Sequence, residues 1–254
     1  MATHRDAILD QFTRQAVPFS TAPGIRDEEA LRLVVEASDA GPEDTVLDVA
    51  CGPGLVTCAF ARVVKHTTGL DLTPAMLERA RTVQREQGLT NMTWQQGEAI
   101  PLPYPEGAFT IVVSRFAFHH FLDPAAALTE MRRVCAQGGR VVVVDSAPAP
   151  DKADAFNAME VLRDPSHVRA MAQEELRGLF HAAGLPEPRV KTYRLEGEVE
   201  GLLKRSFPNP GDDEKIRTLF AASVADDALG VGARPEGGEI RFGYPVAVLV
   251  ADRG

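Results

Sequence analysis

An α/β fold with a parallel sheet covered by helices on both faces is predicted by three features of this sequence. Short apolar segments alternate with helical segments from residue 45 to residue 145, which is typical of successive strand–helix units. Two of the apolar segments, 108–116 and 140–145, suit strands that are buried on both faces. The chain of 254 residues can bury a substantial core, and its 44% hydrophobic and 25% charged residues are ordinary for a globular protein.

The predicted elements alternate regularly up to residue 145. Two helices come first, over 6–17, ending at Pro18, and over 26–38, where apolar residues recur at helical spacing. The strands that follow are predicted over 45–50, 66–72, 92–97, 108–116 and 140–145, and the helices between them over 55–64, 74–87 and 123–135. This order fits strands that run parallel and are connected by helices.

Beyond Asp145 the alternation is looser. The segment 146–171 interrupts it, and 200–240 is rich in glycine, proline and charge. The later elements are predicted as a helix near 173–183, a strand over 190–199, a helix near 212–225 and a last strand over 242–252. We therefore expect one domain, 1–254, with a Rossmann-like doubly wound sheet of about seven mostly parallel strands and late insertions over the sheet's carboxyl edge, where such folds bind ligands.

Composition limits the kinds of partner that this protein has. No apolar run approaches the roughly 20 residues that a membrane span requires, and the first residues lack the apolar segment of a secretory signal. The net charge of −9 and the lack of a lysine–arginine stripe argue against nucleic acid and favour a small molecule. Three cysteines form neither a disulfide framework nor a paired zinc motif, and no metal is expected. We expect a monomer or homodimer in a reducing cytoplasm.

The segment VLDVACGPG, 46–54, places a strand directly before a turn with two glycines and a helix. Such a turn lets the backbone approach a ligand, and the helix N-terminus presents free N–H groups. A P-loop is excluded because Leu55 and Val56 follow Gly54 in place of lysine and serine or threonine. A dinucleotide fingerprint needs a third small residue where Thr57 stands, so the turn alone does not identify the ligand.

Two acidic residues add information about that ligand. Asp71 ends the second strand, 17 residues after Gly54, where a carboxylate can accept both ribose hydroxyls of NAD or of S-adenosylmethionine (SAM). Asp48, inside the first strand, would repel a pyrophosphate but attract an ammonium and a sulfonium group. A second, compatible interpretation is that Asp48 braces the loop by hydrogen bonds. An NAD-dependent oxidoreductase is further disfavoured because no tyrosine is followed four residues later by the lysine of short-chain dehydrogenases.

Four segments in order resemble the motifs of class I SAM-dependent methyltransferases, in particular the small-molecule branch that includes ubiquinone/menaquinone-pathway C-methyltransferases. They are VLDVACGPG (46–54), GLDLTPAMLERA (69–80), GEAIPLPYPEGAFTIVVSRFAFHHF (97–121) and LTEMRRVCAQGGRVVVVD (128–145). The resemblance covers about the first 145 residues and is weak beyond them. It implies a SAM-binding core over 41–150 and an N-terminal helical lid over 1–40. The late insertions, 151–172 and 200–240, are expected on the substrate side because such insertions usually lie over the carboxyl edge of an α/β sheet.

The resemblance also implies which residues bind SAM and its product S-adenosylhomocysteine. They are Asp48, Ala50, Gly52 and Gly54 at the methionine end, Asp71 at the ribose, Leu72 and Met76 against the ribose or adenine, Glu98 and Ala99 at the adenine, and Ser114 beside the methyl group. Glu98 stands where the family usually has the shorter aspartate. Phe19 is a candidate wall of the same pocket if the N-terminal segment forms a lid, with ordinary core packing as the alternative.

The acceptor side is predicted from histidines and arginines. The candidates for binding the acceptor are Arg115, His119, Arg163, His167 and Arg169. Catalysis is assigned to Arg115, His120 and His167, because a histidine can take a proton where the acceptor must lose one. The arginines would hold an acidic or enolate-like acceptor. The competing interpretations are a structural role for the histidine pair and a solvated loop for RDPSHVR, 163–169.

The expected activity is methyl transfer from SAM to a small organic acceptor, by C- or O-methylation. The donor is already activated, so the protein's main task is to hold the nucleophile and the methyl group in line. Two alternatives remain open. One is a SAM-binding enzyme with non-methylating chemistry, since a fold does not fix a reaction. The other is a non-catalytic ligand-binding protein on the same fold.

Overall fold

The centre of the structure, a computed structural model that describes residues 3–254, is a sheet of eight strands flanked by nine α-helices. The strands are β1 (Thr45–Val49), β2 (His66–Asp71), β3 (Met92–Gln96), β4 (Phe109–Arg115), β5 (Cys135–Ser146), β6 (Arg189–Glu198), β7 (Arg234–Glu236) and β8 (Glu239–Asp252). The helices are α1 (His4–Thr21), α2 (Glu28–Ala37), α3 (Leu55–Ala61), α4 (Pro74–Glu86), α5 (Pro124–Val134), α6 (Ala153–Arg163), α7 (Gln173–Ala182), α8 (Val199–Arg205) and α9 (Asp212–Asp226). A short 3₁₀ helix, Phe118–His120, follows β4.

The strands lie in the order β3-β2-β1-β4-β5-β8-β6, and β7 pairs with β8. The first five are parallel, whereas β8 is antiparallel to β5, β6 and β7. This confirms the predicted Rossmann-like sheet, with the three-residue β7 as an additional strand. The chain order reverses between β1 and β4, and such a switch point opens a crevice at the carboxyl ends of the strands.

Both faces of the sheet are covered, as the apolar strands predicted. In β1, Leu47 and Val49 belong to the buried cluster that includes Leu128 of α5, whereas Val46 belongs to the cluster that includes Phe60 of α3. Successive side chains of a strand point to opposite faces, so this one segment contributes to two cores. Within residues 3–254, no helix has both the length and the apolar character that crossing a bilayer requires.

The prediction that the first helix ends at Pro18 is wrong. α1 continues to Thr21 with Pro18 inside it. Proline removes one backbone N–H from a helix, but tertiary contacts hold the last turn here. Ser20 is fully buried, and its hydroxyl accepts a hydrogen bond from Arg79 Nε at 2.7 Å. The turn that carries Phe19 is therefore fixed against α4 rather than released by the proline.

The late segments are more helical than predicted. The segment 146–171 contains α6, and α8 lies at the start of 200–240 in addition to the predicted α9. Phe156 of α6 packs with Phe220 of α9 and Phe242 of β8 in a third buried cluster. These apolar positions become buried only against partners that are far away in the sequence, which is why the local pattern did not identify α6.

Candidate functional site

Two neighbouring cavities lie at the carboxyl ends of the parallel strands. The larger, of about 390 Å³, is lined by residues that follow β1, β2, β3 and β4 and by residues of α1. The smaller, of about 70 Å³, is lined by residues of α1, α6, α8 and β8 and by the histidine pair. Five residues line both cavities and are called the partition below: Phe12, Phe19, Ile25, Phe116 and His120. The larger volume lies in the range of roughly 300–1,000 Å³ typical of small-molecule sites.

The turn after β1 brings two of its three predicted residues to the larger cavity. Ala50 and Gly52 line it, and both have left-handed backbone, with φ of 55° and 53°. Gly54 also has a positive φ, 76°, but does not line the cavity. A Cβ atom at Gly54 would lie 2.4 Å from Cη2 of Trp94, so this glycine is needed for close packing against the indole.

Asp71 fixes the shape of that turn. Its Oδ2 accepts a hydrogen bond from the Gly52 N–H at 2.7 Å, and its Oδ1 accepts one from the Thr73 N–H at 2.8 Å. Burial raises the pKa of Asp71, although these N–H groups favour the charged form. Each carboxylate oxygen has a second lone pair, so Asp71 can still accept hydrogen bonds from a ligand in the larger cavity, which it lines.

Asp48 is a second buried carboxyl group at the same cavity. It is 1% exposed, and its Oδ2 accepts a hydrogen bond from the Thr57 hydroxyl at 2.6 Å. Burial raises the pKa of Asp48 to about 7 despite that hydrogen bond, and the nearby Asp71 raises it further. Thr57, which stands where a dinucleotide fingerprint has a small residue, thus orients the Asp48 carboxyl group through this hydrogen bond. A cationic ligand is the natural partner for these two acids.

The first turn of α1 lies over the larger cavity. Arg5 Nε and Glu98 Oε1 form an ion pair at 3.1 Å, with both side chains about half exposed. His4 Nε2 is 2.8 Å from the carbonyl oxygen of His120. In this arrangement Glu98, predicted at the adenine, is joined to α1, and His4, Arg5 and Ile8 of α1 line the larger cavity.

The remaining predicted donor-side residues fall into two groups. Leu72, Met76, Ala99 and Phe19 line the larger cavity. Ser114 does not; it is fully buried, and its hydroxyl donates to the Val49 carbonyl at 2.9 Å, tying β4 to β1.

Arg115 lines the larger cavity from the end of β4. Its Nη1 donates to the Ile25 carbonyl at 3.2 Å, and its Nη2 donates to the Tyr193 hydroxyl at 3.4 Å. The guanidinium lies 4.4 Å from the centre of the Phe116 ring, and the buried Nε has no partner within residues 3–254. These contacts direct Arg115 toward the backbone and an aromatic face, so it fixes the partition residues around it.

His119 and Asp145 form a buried pair at the smaller cavity. His119 Nδ1 lies 2.5 Å from Asp145 Oδ1, and the backbone N–H of His119 donates to Asp145 Oδ2 at 3.1 Å. Burial favours the neutral ring, but the Asp145 carboxylate raises the pKa of His119. Because Nδ1 donates to the carboxylate, Nε2 is the atom that can accept a proton. A histidine that is oriented by a buried acid is the usual form of a general base.

His120 faces both cavities but has a different environment. Its Nδ1 lies 3.0 Å from the carbonyl oxygen of Ser166, which can only accept, so Nδ1 carries the hydrogen. Burial lowers the pKa of His120 to about 3, and the neighbouring His119 lowers it further. The ring is therefore neutral, and it is a weak base near neutral pH.

The three candidates in RDPSHVR do not meet at an acceptor cavity. His167 lines neither cavity; its Nε2 is bonded to Asn157 Oδ1 at 2.7 Å and its Nδ1 is buried without a partner among residues 3–254. Arg169 is about half exposed and pairs with Glu175. Only Arg163 lines the smaller cavity, and it is paired with Glu160 at 2.6 Å. His167 therefore lies outside both cavities, and its assignment as a base stays a prediction.

Several residues of the smaller cavity were not predicted. They are Glu160, Asp164, Arg205 and Tyr244, together with Asp145 behind His119. Asp145 carried a signal, because an acid at the carboxyl end of a parallel strand is placed like Asp71. Glu160 and Arg205 carried none, since both belong to helices in the segments whose pattern is weakest.

Proteins of similar sequence and structure are known. Residues 47–143 match the family model of a methyltransferase domain. The chain is 34% identical over 219 residues to the uncharacterized methyltransferase YcgJ of Bacillus subtilis. The matched region covers 85% of this chain and 86% of YcgJ. It is 30% identical over 195 residues to the ubiquinone/menaquinone biosynthesis C-methyltransferase UbiE of Vibrio vulnificus, covering 67% of this chain and 74% of UbiE. The crystal structure of Bacillus subtilis YcgJ has a TM-score of 0.80 at 29% identity, over 89% of this chain and 98% of that one.

Proposed function

Because the chain belongs to the class I SAM-dependent methyltransferases and is similar to UbiE, we propose that it transfers the methyl group of SAM to an oxygen or carbon atom of a small organic acceptor. One observation carries this proposal: a larger cavity with two buried acids and a smaller cavity with an acid-oriented histidine meet at one partition. The donor belongs in the first and the acceptor in the second.

The larger cavity fits SAM in volume and in charge. Ala50 and Gly52 supply backbone that a ligand can approach closely, and Asp71 retains lone pairs for ribose hydroxyls. Asp48 is buried beside the same space and favours the positively charged methionine end. Leu72, Met76 and Ala99 provide apolar contacts for the ribose and adenine. Gly54 and Ser114 support these residues from outside the cavity rather than by contact with the ligand.

When bound, SAM supplies a methyl group that is already activated on a sulfonium. The chain's own task is to hold the acceptor in line and to remove its proton where necessary. His119 Nε2 takes the proton that the acceptor O–H or acidic C–H releases, and Asp145 stabilises the imidazolium that forms. His120 is a neutral hydrogen-bond acceptor in the partition, and its lowered pKa makes it less suited to this proton transfer.

Methyl-labelled SAM incubated with the protein and a metabolite extract, followed by mass spectrometry, tests this function. We expect one labelled small molecule and S-adenosylhomocysteine as products. Calorimetry with SAM, S-adenosylhomocysteine and NAD is the matched binding measurement, and NAD is expected not to bind. Tight SAM binding without any labelled product would favour a non-catalytic ligand-binding protein. NAD binding without SAM binding would refute the assignment of the larger cavity.

A further inference from the structure

Arg205, at the end of α8, is the cation of the smaller cavity that has no partner. It lines this cavity, yet its guanidinium makes no hydrogen bond and no ion pair within 4.0 Å to any residue from 3 to 254. Burial lowers the pKa of Arg205, although the nearby Tyr244 favours the charged form. None of its nitrogens is a buried atom without a partner, so the guanidinium is open to water or to a ligand in the cavity.

The acids of the smaller cavity are already engaged by other groups. Glu160 accepts from Arg163 Nε at 2.9 Å and Nη2 at 2.6 Å, and from the Tyr244 hydroxyl at 2.6 Å. Asp164 accepts from the Ser166 hydroxyl at 2.5 Å and from Gln15 Nε2 at 3.1 Å. Arg163 thus pairs with Glu160 and lies 3.9 Å from Asp164, and neither carboxylate is bonded to Arg205.

The wall around this charge is aromatic. Besides the two imidazoles, five phenylalanine and tyrosine rings line the smaller cavity: Phe12, Phe19, Phe116, Phe242 and Tyr244. Such a wall favours a flat, apolar molecule, and the unpaired guanidinium favours a negative group at one end of it. His119 lines the same cavity and can remove a proton from the other end.

We propose that the smaller cavity recognises the carboxylate of a small aromatic acid and that Arg205 is the residue that binds it. This inference rests on the proposed function, because it names the class of acceptor for the same methyl transfer. It replaces Arg163, which the sequence suggested for this task and which is held by Glu160. The planar guanidinium suits a carboxylate because two N–H groups can donate to its two oxygens.

The test compares benzoate with benzamide, which has the same shape without the charge. Both are titrated by calorimetry into the protein saturated with S-adenosylhomocysteine. We expect benzoate to bind at least about tenfold more tightly, the factor that a hydrogen bond to a charged group supports. Arg205→Met should abolish the preference, and Arg205→Lys should retain part of it. Lys204→Met is the matched control, because Lys204 is an exposed cation beside Arg205 on α8.

Equal affinities for benzoate and benzamide in the wild type, no benzoate binding, or a preference that persists in Arg205→Met would each overturn the inference. Binding of S-adenosylhomocysteine is measured first in every variant and should be the same in all of them. If the wild type does not bind S-adenosylhomocysteine, the proposed function fails; if it binds but benzoate is not preferred, only the role of Arg205 fails. Reduced binding of S-adenosylhomocysteine in Arg205→Met alone would show that Arg205 supports the fold, which also contradicts the proposal.

Discussion

The larger and the smaller cavity share the five residues of the partition but are surrounded by different charges. The larger one has the buried acids Asp48 and Asp71, which are held by a hydroxyl and by backbone N–H groups. The smaller one has the ion pair Arg163–Glu160, the hydrogen-bonded pair His119–Asp145, and in addition the cation Arg205. In the proposed reaction, the larger cavity would suit a positively charged donor and the smaller cavity an acceptor that carries or develops negative charge, and the two molecules would meet where the cavities share residues.

The largest effect is expected from removing the base of the smaller cavity. His119→Ala should lower turnover by about 10²–10⁴-fold, the usual effect of losing a general base. The dissociation constant for SAM should stay within about twofold, because His119 does not line the larger cavity. Turnover is measured with the acceptor found by methyl labelling. His120→Ala is the control variant at the neighbouring residue. It should reduce turnover less than His119→Ala does, because burial lowers the pKa of His120 to about 3. Normal turnover in His119→Ala would exclude His119 as the base.

The pH–rate profile distinguishes a positioning role of Asp145 from a purely structural one. Its carboxylate raises the pKa of His119, so Asp145→Asn should move the acidic limb of the pH–rate profile to lower pH and reduce the maximal rate. A variant with a lower rate but an unchanged profile would show that Asp145 acts on the fold alone.

On the donor side, Asp71→Asn is expected to weaken SAM binding by about tenfold or more. The amide keeps the size of the side chain but loses the charge that accepts from Gly52 and Thr73 and from the ligand, and each such bond contributes about 1.5–3 kcal/mol. Calorimetry with SAM gives the dissociation constant, and turnover at saturating SAM should change less. An unchanged dissociation constant in the folded variant would leave Asp71 with a role in the turn only.

A smaller, pH-dependent effect is expected from Asp48. The free protein has a pKa of about 7 at this group, and a cationic ligand binds its ionised form more tightly. SAM affinity should therefore rise by up to about tenfold over the pH unit below that value and then level off. In Asp48→Asn, SAM affinity should depend less on pH, and the dependence that remains should come from Asp71.

The free energy of unfolding gives a second readout of Asp48. The folded-state pKa is above the unfolded value of 3.8, so the native state binds more protons between the two values. Stability without ligand should fall as the pH rises from 3.8 to about 7, and this loss should be smaller in Asp48→Asn. A wild-type stability that rises across this window would argue against a buried, uncompensated Asp48.

The smallest effect on function is expected at His167. His167→Ala removes the hydrogen bond to Asn157 and should lower the free energy of unfolding by about 1–3 kcal/mol. SAM affinity and turnover should remain within about twofold, because the ring lines neither cavity. Urea unfolding and steady-state kinetics separate the two quantities. A folded variant that loses turnover as strongly as His119→Ala would restore His167 as the acceptor's base.

The donor side was largely predictable from the sequence because its signals are local. A short strand, a turn with two glycines and an acid at the next strand end are features of short segments. Asp48 and Asp71 were identified from their places in the strands, and Gly52 through the resemblance; all three line the larger cavity. The same reasoning could not distinguish Gly54, which packs on Trp94, from a glycine that contacts the ligand.

The acceptor side depended on the tertiary structure because its contacts join distant residues. His119 and Asp145 are 26 residues apart, Glu160 and Tyr244 are 84 apart, and Gln15 and Asp164 are 149 apart. The spacing of residues within a short segment cannot predict such pairs. An arginine in the sequence also does not show whether an acidic side chain pairs with it in the folded protein. The sequence by itself determined the alternating fold, the edge of the sheet where the cavities lie, and the two acids of the larger cavity. Only the folded chain decided which histidine is oriented by an acid, which arginine is neutralised, and that Arg205 is left without a partner.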